Sequence, residues 1–167
     1  MSIVVTDERP RDADAIRSLV ARSFQGVPWS DGQEPVMIDA LRQAGELSLS
    51  LVAMQDGAVV GHLAGSPATI GGRGGWVGIG PVAVDPVYQR QGVGSALVRA
   101  ALERLRRAGA AGTVLIGDPA FYGRLGFAPA TNCHWRDIVP PAAQIAPLSG
   151  PRPTGEIRYA PAFEALA

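Results

Sequence analysis

The 167-residue sequence contains no lysine; all 15 of its basic residues are arginine. That absence excludes a Walker A phosphate loop, a pyridoxal-phosphate Schiff base and any lysine nucleophile or base. Cys133 is the single cysteine, so no internal disulfide forms and a disulfide-stapled secreted scaffold is excluded. With only His62 and His134 beside it, a multi-cysteine zinc site is excluded as well, and no metal is expected. No apolar run approaches the roughly 18 residues of a membrane span, and Met1 to Pro10 carries no apolar signal-peptide core. The cytoplasm is therefore the expected location. Charge of one sign is also missing: 15 basic residues balance 15 acidic ones, so neither a nucleic acid nor a membrane surface is an expected partner.

What remains is 47% hydrophobic and 18% charged, enough to bury a core, and its length suits one domain over residues 1–167. Ser2 to Thr6 reads as a strand. Ile16, Leu19, Val20 and Phe24 recur at helical spacing within a helix from Arg11 to Phe24, and a second helix runs from Glu34 to Ala44 and stops at Gly45. Leu49 to Met54 and Ala58 to Ile70 read as strands joined by the hairpin dipeptide Asp56-Gly57. After the glycine-rich turn 71–75, Trp76 to Val84 makes a third strand of the meander. Gly80-Pro81 inside it predicts a bulge or a splayed strand, since proline donates nothing to a ladder. Gly92 to Ala108 is the best helix, with Val93, Leu97, Ala101, Leu105 and Ala108 on one stripe. Its last turn holds Arg104, Arg106 and Arg107, which the helix C-terminus accommodates without a nucleic acid. Thr113 to Gly117 predicts a strand buried on both faces, Pro119 to Leu125 a short helix, 138–153 a proline-rich loop, and Gly155 to Tyr159 a last strand. The order β-α-α-β-β-β-α-β-α-β predicts an α/β protein with a mixed sheet and helices on both faces.

The chemistry concentrates between Val82 and Leu97. A strand runs through a short loop, Gln89-Arg90-Gln91-Gly92-Val93-Gly94, into a helix. First-turn N–H groups have no partners within the helix, and the helix dipole adds positive charge. Gly92 and Gly94 let a phosphate approach the backbone, and Arg90 supplies a full charge. A dinucleotide fingerprint would need a glycine where Leu97 stands, so that reading fails.

Three blocks together resemble the GNAT superfamily of acyl-CoA-dependent N-acyltransferases. They are Val82-Ala83-Val84-Asp85-Pro86, then Gln89, Gly92 and Gly94 in the pattern [Q/R]-x-x-G-x-[G/A], then Phe121-Tyr122-Gly123-Arg124-Leu125-Gly126-Phe127. Gly117-Asp118-Pro119 adds a likeness to a bacterial single-domain subgroup. The resemblance implies a central sheet with two splayed parallel strands and acetyl-CoA as cosubstrate, its pantetheine pairing with the backbone of Val82, Ala83 and Val84. It implies a pyrophosphate on the N–H groups of Gln91, Gly92, Val93, Gly94 and Ser95 beside Gln89 and Arg90, with Asp118 and Arg124 at the cofactor site. Tyr122 would protonate the leaving thiolate, and an amine of a small molecule or peptide would attack the thioester directly, in a monomer or homodimer. Family members often place a glutamate on the central strand as general base, but Trp76 to Val84 holds no acid. Water, His62 and Glu34 are the alternatives for that role. Cys133 reads as a small buried residue rather than a nucleophile, and Trp29 either lines an acceptor pocket or closes the core edge. A second reading keeps the fold but not turnover: an acyl-CoA-binding sensor or docking module.

Overall fold

Asp56 and Gly57 adopt φ of 52° and 80°, the paired left-handed conformation of a two-residue hairpin turn. They join strands β2 (Leu49–Gln55) and β3 (Ala58–Ile70) in a computed structural model that describes residues 2–167. Before them come β1 (Val4–Asp7), α1 (Ala13–Phe24) and α2 (Glu34–Gln43). After them come β4 (Arg73–Val84), α3 (Val93–Arg107), β5 (Gly112–Ile116) and α4 (Pro119–Gly123). The chain continues through β6 (Ala128–Pro129), β7 (Cys133–His134), β8 (Ala143–Pro147), β9 (Gly155–Tyr159) and α5 (Pro161–Leu166).

The strands lie in the order β1-β2-β3-β4-β5-β8-β6. All neighbours are antiparallel except β4 and β5, so the sheet is mixed, as the element order predicts. The outer end of β3 pairs with β9, where Ala68 faces Tyr159. Helices cover both faces. On one, Val93, Leu97, Val98, Ala101 and Leu105 of α3 pack on Leu51, Leu63, Ile79 and Leu115. On the other, Ile16 and Val20 of α1 and Ile38 of α2 pack on Val52, Ala64 and Ala83. Gly45 and Gly109 end α2 and α3 with φ of 71° and 76°. In each case the following N–H reaches back, Glu46 to Leu41 O and Ala110 to Leu105 O, satisfying carbonyls the helix leaves open.

The segment 138–153 is not all loop. Ala143–Pro147 is a strand between β5 and β6, paired with β5 from Gly112↔Pro147 to Ile116↔Ala143, and Ala143 to Ala146 are buried. Pro140 and Pro141 precede the strand, Pro147 is its last residue and Pro151 follows it, and five residues are too few to show a period. The helix expected over Pro119–Leu125 stops at Gly123, and the first strand runs to Asp7 rather than Thr6. Helix α5 and the short strands β6 and β7 were not expected. The tail folds because Glu164 accepts from the Trp135 indole at 3.0 Å and from the Tyr159 N–H at 2.8 Å, under a Trp135–Tyr159–Phe163 ring cluster.

Candidate active site

Gly80-Pro81 bulges out of β4: Leu63 pairs with Val82 and Gly65 with Ile79, leaving two residues of β4 against Ala64. Close by, β4 and β5 part. Their parallel register covers only Trp76↔Gly112, Val77↔Thr113 and Gly78↔Val114. Beyond Gly78, β4 stays paired with β3 through Val84, while β5 follows β8. Ile79 to Val84 thus has a paired edge and, toward β5, an open one. The positions named from the sequence, Val82, Ala83 and Val84, lie on that stretch.

The open edge leads to the start of α3. Asp85 caps the turn 86–88, its carboxylate accepting from the Val87 N–H at 3.0 Å and from the Arg22 guanidinium at 2.9 Å. Burial works to raise the Asp85 carboxyl, but those two donors outweigh it and hold it below the usual carboxylate range. Gln89 donates to Val84 O and Gln91 to Val87 O, each at 3.3 Å, so both amides brace the loop from within. Arg90 and Gly92 take φ of 63° and 85°. Two left-handed residues in quick succession suit an anion nest, in which successive N–H groups turn to one side. Gly92 offers no capping side chain, and the first helical bond runs from Ala96 N–H to Gly92 O at 3.0 Å. The N–H groups of Val93, Gly94 and Ser95 are therefore left for a ligand. A Cβ on Gly94 would lie 3.4 Å from Phe121, ordinary contact. No protein group bonds the Arg90 guanidinium among the described residues.

Tyr122 stands on α4, whose first turn is capped by Asp118 accepting from the Ala120 N–H at 2.9 Å. Arg124 donates to Ala120 O at 3.1 Å and so fastens the end of the same helix. The Tyr122 ring meets Phe121 and Phe127 edge-on, at 4.9 Å and 5.6 Å between centroids. Burial pushes its phenol up, and the Asp118 carboxylate adds to the shift, so the phenol keeps its proton at neutral pH. Gly117 leaves the space the ring occupies, a requirement the sequence does not announce.

The base candidates sit apart. Glu34 accepts from the Ser30 hydroxyl at 2.7 Å at the start of α2. His62 is fully buried on the α1 and α2 face of β3, opposite Ala83, with Nε2 2.8 Å from Ser50 Oγ. Burial lowers it to about 4, with Glu8 opposing and Arg42 adding to the fall. Trp29 touches Phe24 edge-on at 5.8 Å and is 77% exposed, so it does not close a core edge. Cys133 is buried, its thiol pushed up by burial and directed at Pro153 O. The Arg22–Asp85 tie and the Glu8–Ser50–His62 chain join residues far apart in sequence, and no local spacing signals either.

A parted pair of parallel strands leading to a bare helix N-terminus has the shape to receive an extended, phosphate-bearing ligand. The sequence profile of the acetyltransferase (GNAT) family matches residues 13–127. An N-acetyltransferase of Escherichia coli K12, YhbS, is 40% identical over 139 residues, 80% of each chain. Its crystal structure in complex with CoA superposes with a TM-score of 0.88 at 35% identity, over 97% of this chain and 92% of that one. A GNAT family acetyltransferase from Brucella melitensis in complex with acetyl-CoA gives 0.85 at 41% identity, over 97% and 98%. The chain belongs to the GNAT family and is one of its N-acetyltransferases. Among the described residues, no helix is long and apolar enough to cross a membrane.

Proposed function

We propose that the chain transfers an acetyl group from acetyl-CoA to a primary amine of a small molecule or peptide, in the cytoplasm, by direct attack on the thioester. The observation that carries this reading is the parting of β4 from β5 beyond Gly78, which leaves the β5-facing edge of β4 along Val82 to Val84 without a strand partner, beside the N–H groups of Val93, Gly94 and Ser95. That edge suits an amide-bearing arm, and the nest after Arg90 suits a pyrophosphate. Two similar proteins were crystallised with CoA or acetyl-CoA.

In this reading Val82, Ala83 and Val84 orient the arm. Arg90 and the N–H groups from Gln91 to Ser95 hold the phosphates, with Gln89 and Gln91 keeping the loop in shape. Bound acetyl-CoA supplies the activated acyl carbon. Asp118 and Arg124 fasten the helix that presents Tyr122, whose protonated phenol gives its proton to the departing sulfur.

Calorimetric titration with CoA, ATP and NAD tests the cofactor: CoA alone should bind. Thiol release from acetyl-CoA across a panel of amines tests turnover. CoA binding without amine-dependent thiol release would leave a sensor and overturn the transfer reading.

A further inference from the structure

An amine that becomes an amide must lose a proton, and β4 offers no acid to take it. Its neighbour β3 offers an imidazole. His62 is 0% exposed, and its Nε2 lies 2.8 Å from Ser50 Oγ. The Ser50 hydroxyl has one proton, and Glu8 Oε1 lies 2.9 Å away to receive it. Glu8 is in turn held by the Arg42 guanidinium, which also pairs with Asp39 at 3.1 Å. Because Ser50 donates to Glu8, its oxygen must accept from His62. Nε2 therefore carries the ring hydrogen, and Nδ1 carries a bare lone pair.

That lone pair is buried, and among the described residues no protein group bonds it. A buried polar atom left so costs about 1–3 kcal/mol, which folding alone gives no reason to keep. The second such atom is Ser66 Oγ, on the same face of the same strand. Between the two lies Ala64, opposite the Gly80-Pro81 bulge. Two unpartnered polar atoms thus flank the place where β4 leaves β5. Ile16 and Val20 of α1 and Ala83 of β4 present only apolar groups on this face. The charges that act on the ring are Glu8 and Arg42.

We propose that His62 takes the acceptor amine's proton at Nδ1, through one intervening water, and that Ser50 and Glu8 are the positioning residues that fix its tautomer and balance its charge. The proposal rests on the transfer reading above. The amine nitrogen bonds the acyl carbon and the carbon–sulfur bond breaks. The sulfur takes the Tyr122 proton, His62 holds the amine proton as an imidazolium facing Ser50 and Glu8, and it returns that proton to solvent as product leaves. Tyr122 regains one from solvent. Glu8 lines a surface cavity of about 330 Å³ with Asp7, Arg42 and Ser48, so its carboxylate stays in exchange with water. Above pH of about 4 the imidazole is neutral, and the lone pair is available.

Nitrogen NMR of histidine-labelled protein reads the tautomer without any substrate: His62 should show a protonated Nε2 and a bare Nδ1. Kinetics use acetyl-CoA with methylamine and hydroxylamine as probe amines. Glu8→Gln and Ser50→Ala, both folded by thermal melt, should lower kcat roughly 10- to 1,000-fold. The KM for acetyl-CoA should hold, the acid limb of the pH profile should move, and Glu8→Asp should recover part of the rate. A protonated Nδ1 in the wild type, or variants with wild-type kcat and pH profile, overturns the proposal. Wild-type protein that binds CoA but transfers to neither probe nor any other amine overturns the transfer reading, and this proposal with it, whatever the tautomer.

Discussion

Gly117 and Tyr122 are fitted to one another: a Cβ on Gly117 would lie 2.6 Å from Cε2 and 3.0 Å from Cδ2 of the Tyr122 ring. Real side chains do not come so close, so Gly117→Ala must push the ring aside. The strand keeps its pairing with β8 up to Ile116, so the displacement falls on α4. Overpacking of this kind costs about 1–3 kcal/mol of stability. Activity should fall further than stability, with the KM for acetyl-CoA nearly unchanged. Added to Tyr122→Phe, the same substitution should cost little more, because its effect passes through a hydroxyl already gone. Additive losses in kcat would place Gly117 in some other role.

Tyr122→Phe alone isolates the phenol proton. The ring contacts with Phe121 and Phe127 survive, so folding should be close to wild type. The proton matters only as charge develops on sulfur, so kcat should drop roughly 10- to 1,000-fold while acetyl-CoA affinity holds. Burial raises the phenol, so the wild-type rate should not decline through loss of this proton until pH exceeds the ordinary tyrosine value of 10.0. Single-turnover rates of the two proteins between pH 7 and 10 check both points; equal rates would return the acid role to water.

The parts of the molecule that local pattern controls were legible in the sequence. Asp56-Gly57 announces its turn because few dipeptides accept two positive φ angles. Gly80-Pro81 announces the bulge because proline breaks a ladder. The stripe from Val93 to Leu105 announces α3 because one face must be buried. What stayed hidden depends on partners distant in the chain. β8 has five residues and draws its stability from β5 and β6 on either side. α5 exists because Glu164 finds Trp135 and Tyr159. Glu8 follows β1, and Arg42, Ser50 and His62 lie on α2, β2 and β3, so their chain of contacts is a property of the packed fold and not of any segment.

The phosphate site makes a prediction in which stability and binding move in opposite directions. Gly94 lies in the first turn of α3, where an added Cβ meets Phe121 at 3.4 Å without a clash. Alanine is the better helix former by about 1 kcal/mol, so Gly94→Ala should leave the melting temperature unchanged or slightly raised. CoA binding should nevertheless weaken at least tenfold, since the methyl occupies the path of a phosphate to the backbone. Arg90→Gly accepts the left-handed φ of 63° without strain and removes the charged side chain. It should weaken CoA by about 1–3 kcal/mol, less at high salt. Calorimetry at two ionic strengths measures both; CoA affinity equal to wild type in either variant contradicts the phosphate site placed here.

His62 also sets how the fold responds to acid. Burial lowers its pKa from 6.5 to about 4, so the folded protein resists a proton that the unfolded chain accepts. Above pH 6.5 both states hold a neutral ring, and the residue has no pH-dependent effect. As pH falls from 6.5 to about 4 the unfolded chain binds more protons, so stability drops, by up to 1.36 kcal/mol per pH unit. Below 4 both states are charged and the loss levels off at about 3 kcal/mol. Depressed carboxyls such as Asp85 act in the same direction, but only at lower pH, as protonation of the carboxylates sets in. The difference between wild type and His62→Gln separates the two contributions. Glutamine can still donate to Ser50 and never titrates, so the variant starts less stable at pH 7 through imperfect packing. Between pH 6.5 and 4.5 it should lose less stability than the wild type, and the two curves should converge. Urea unfolding at half-unit pH steps measures the gap; a gap that stays constant over that range means that burial does not shift the titration of His62.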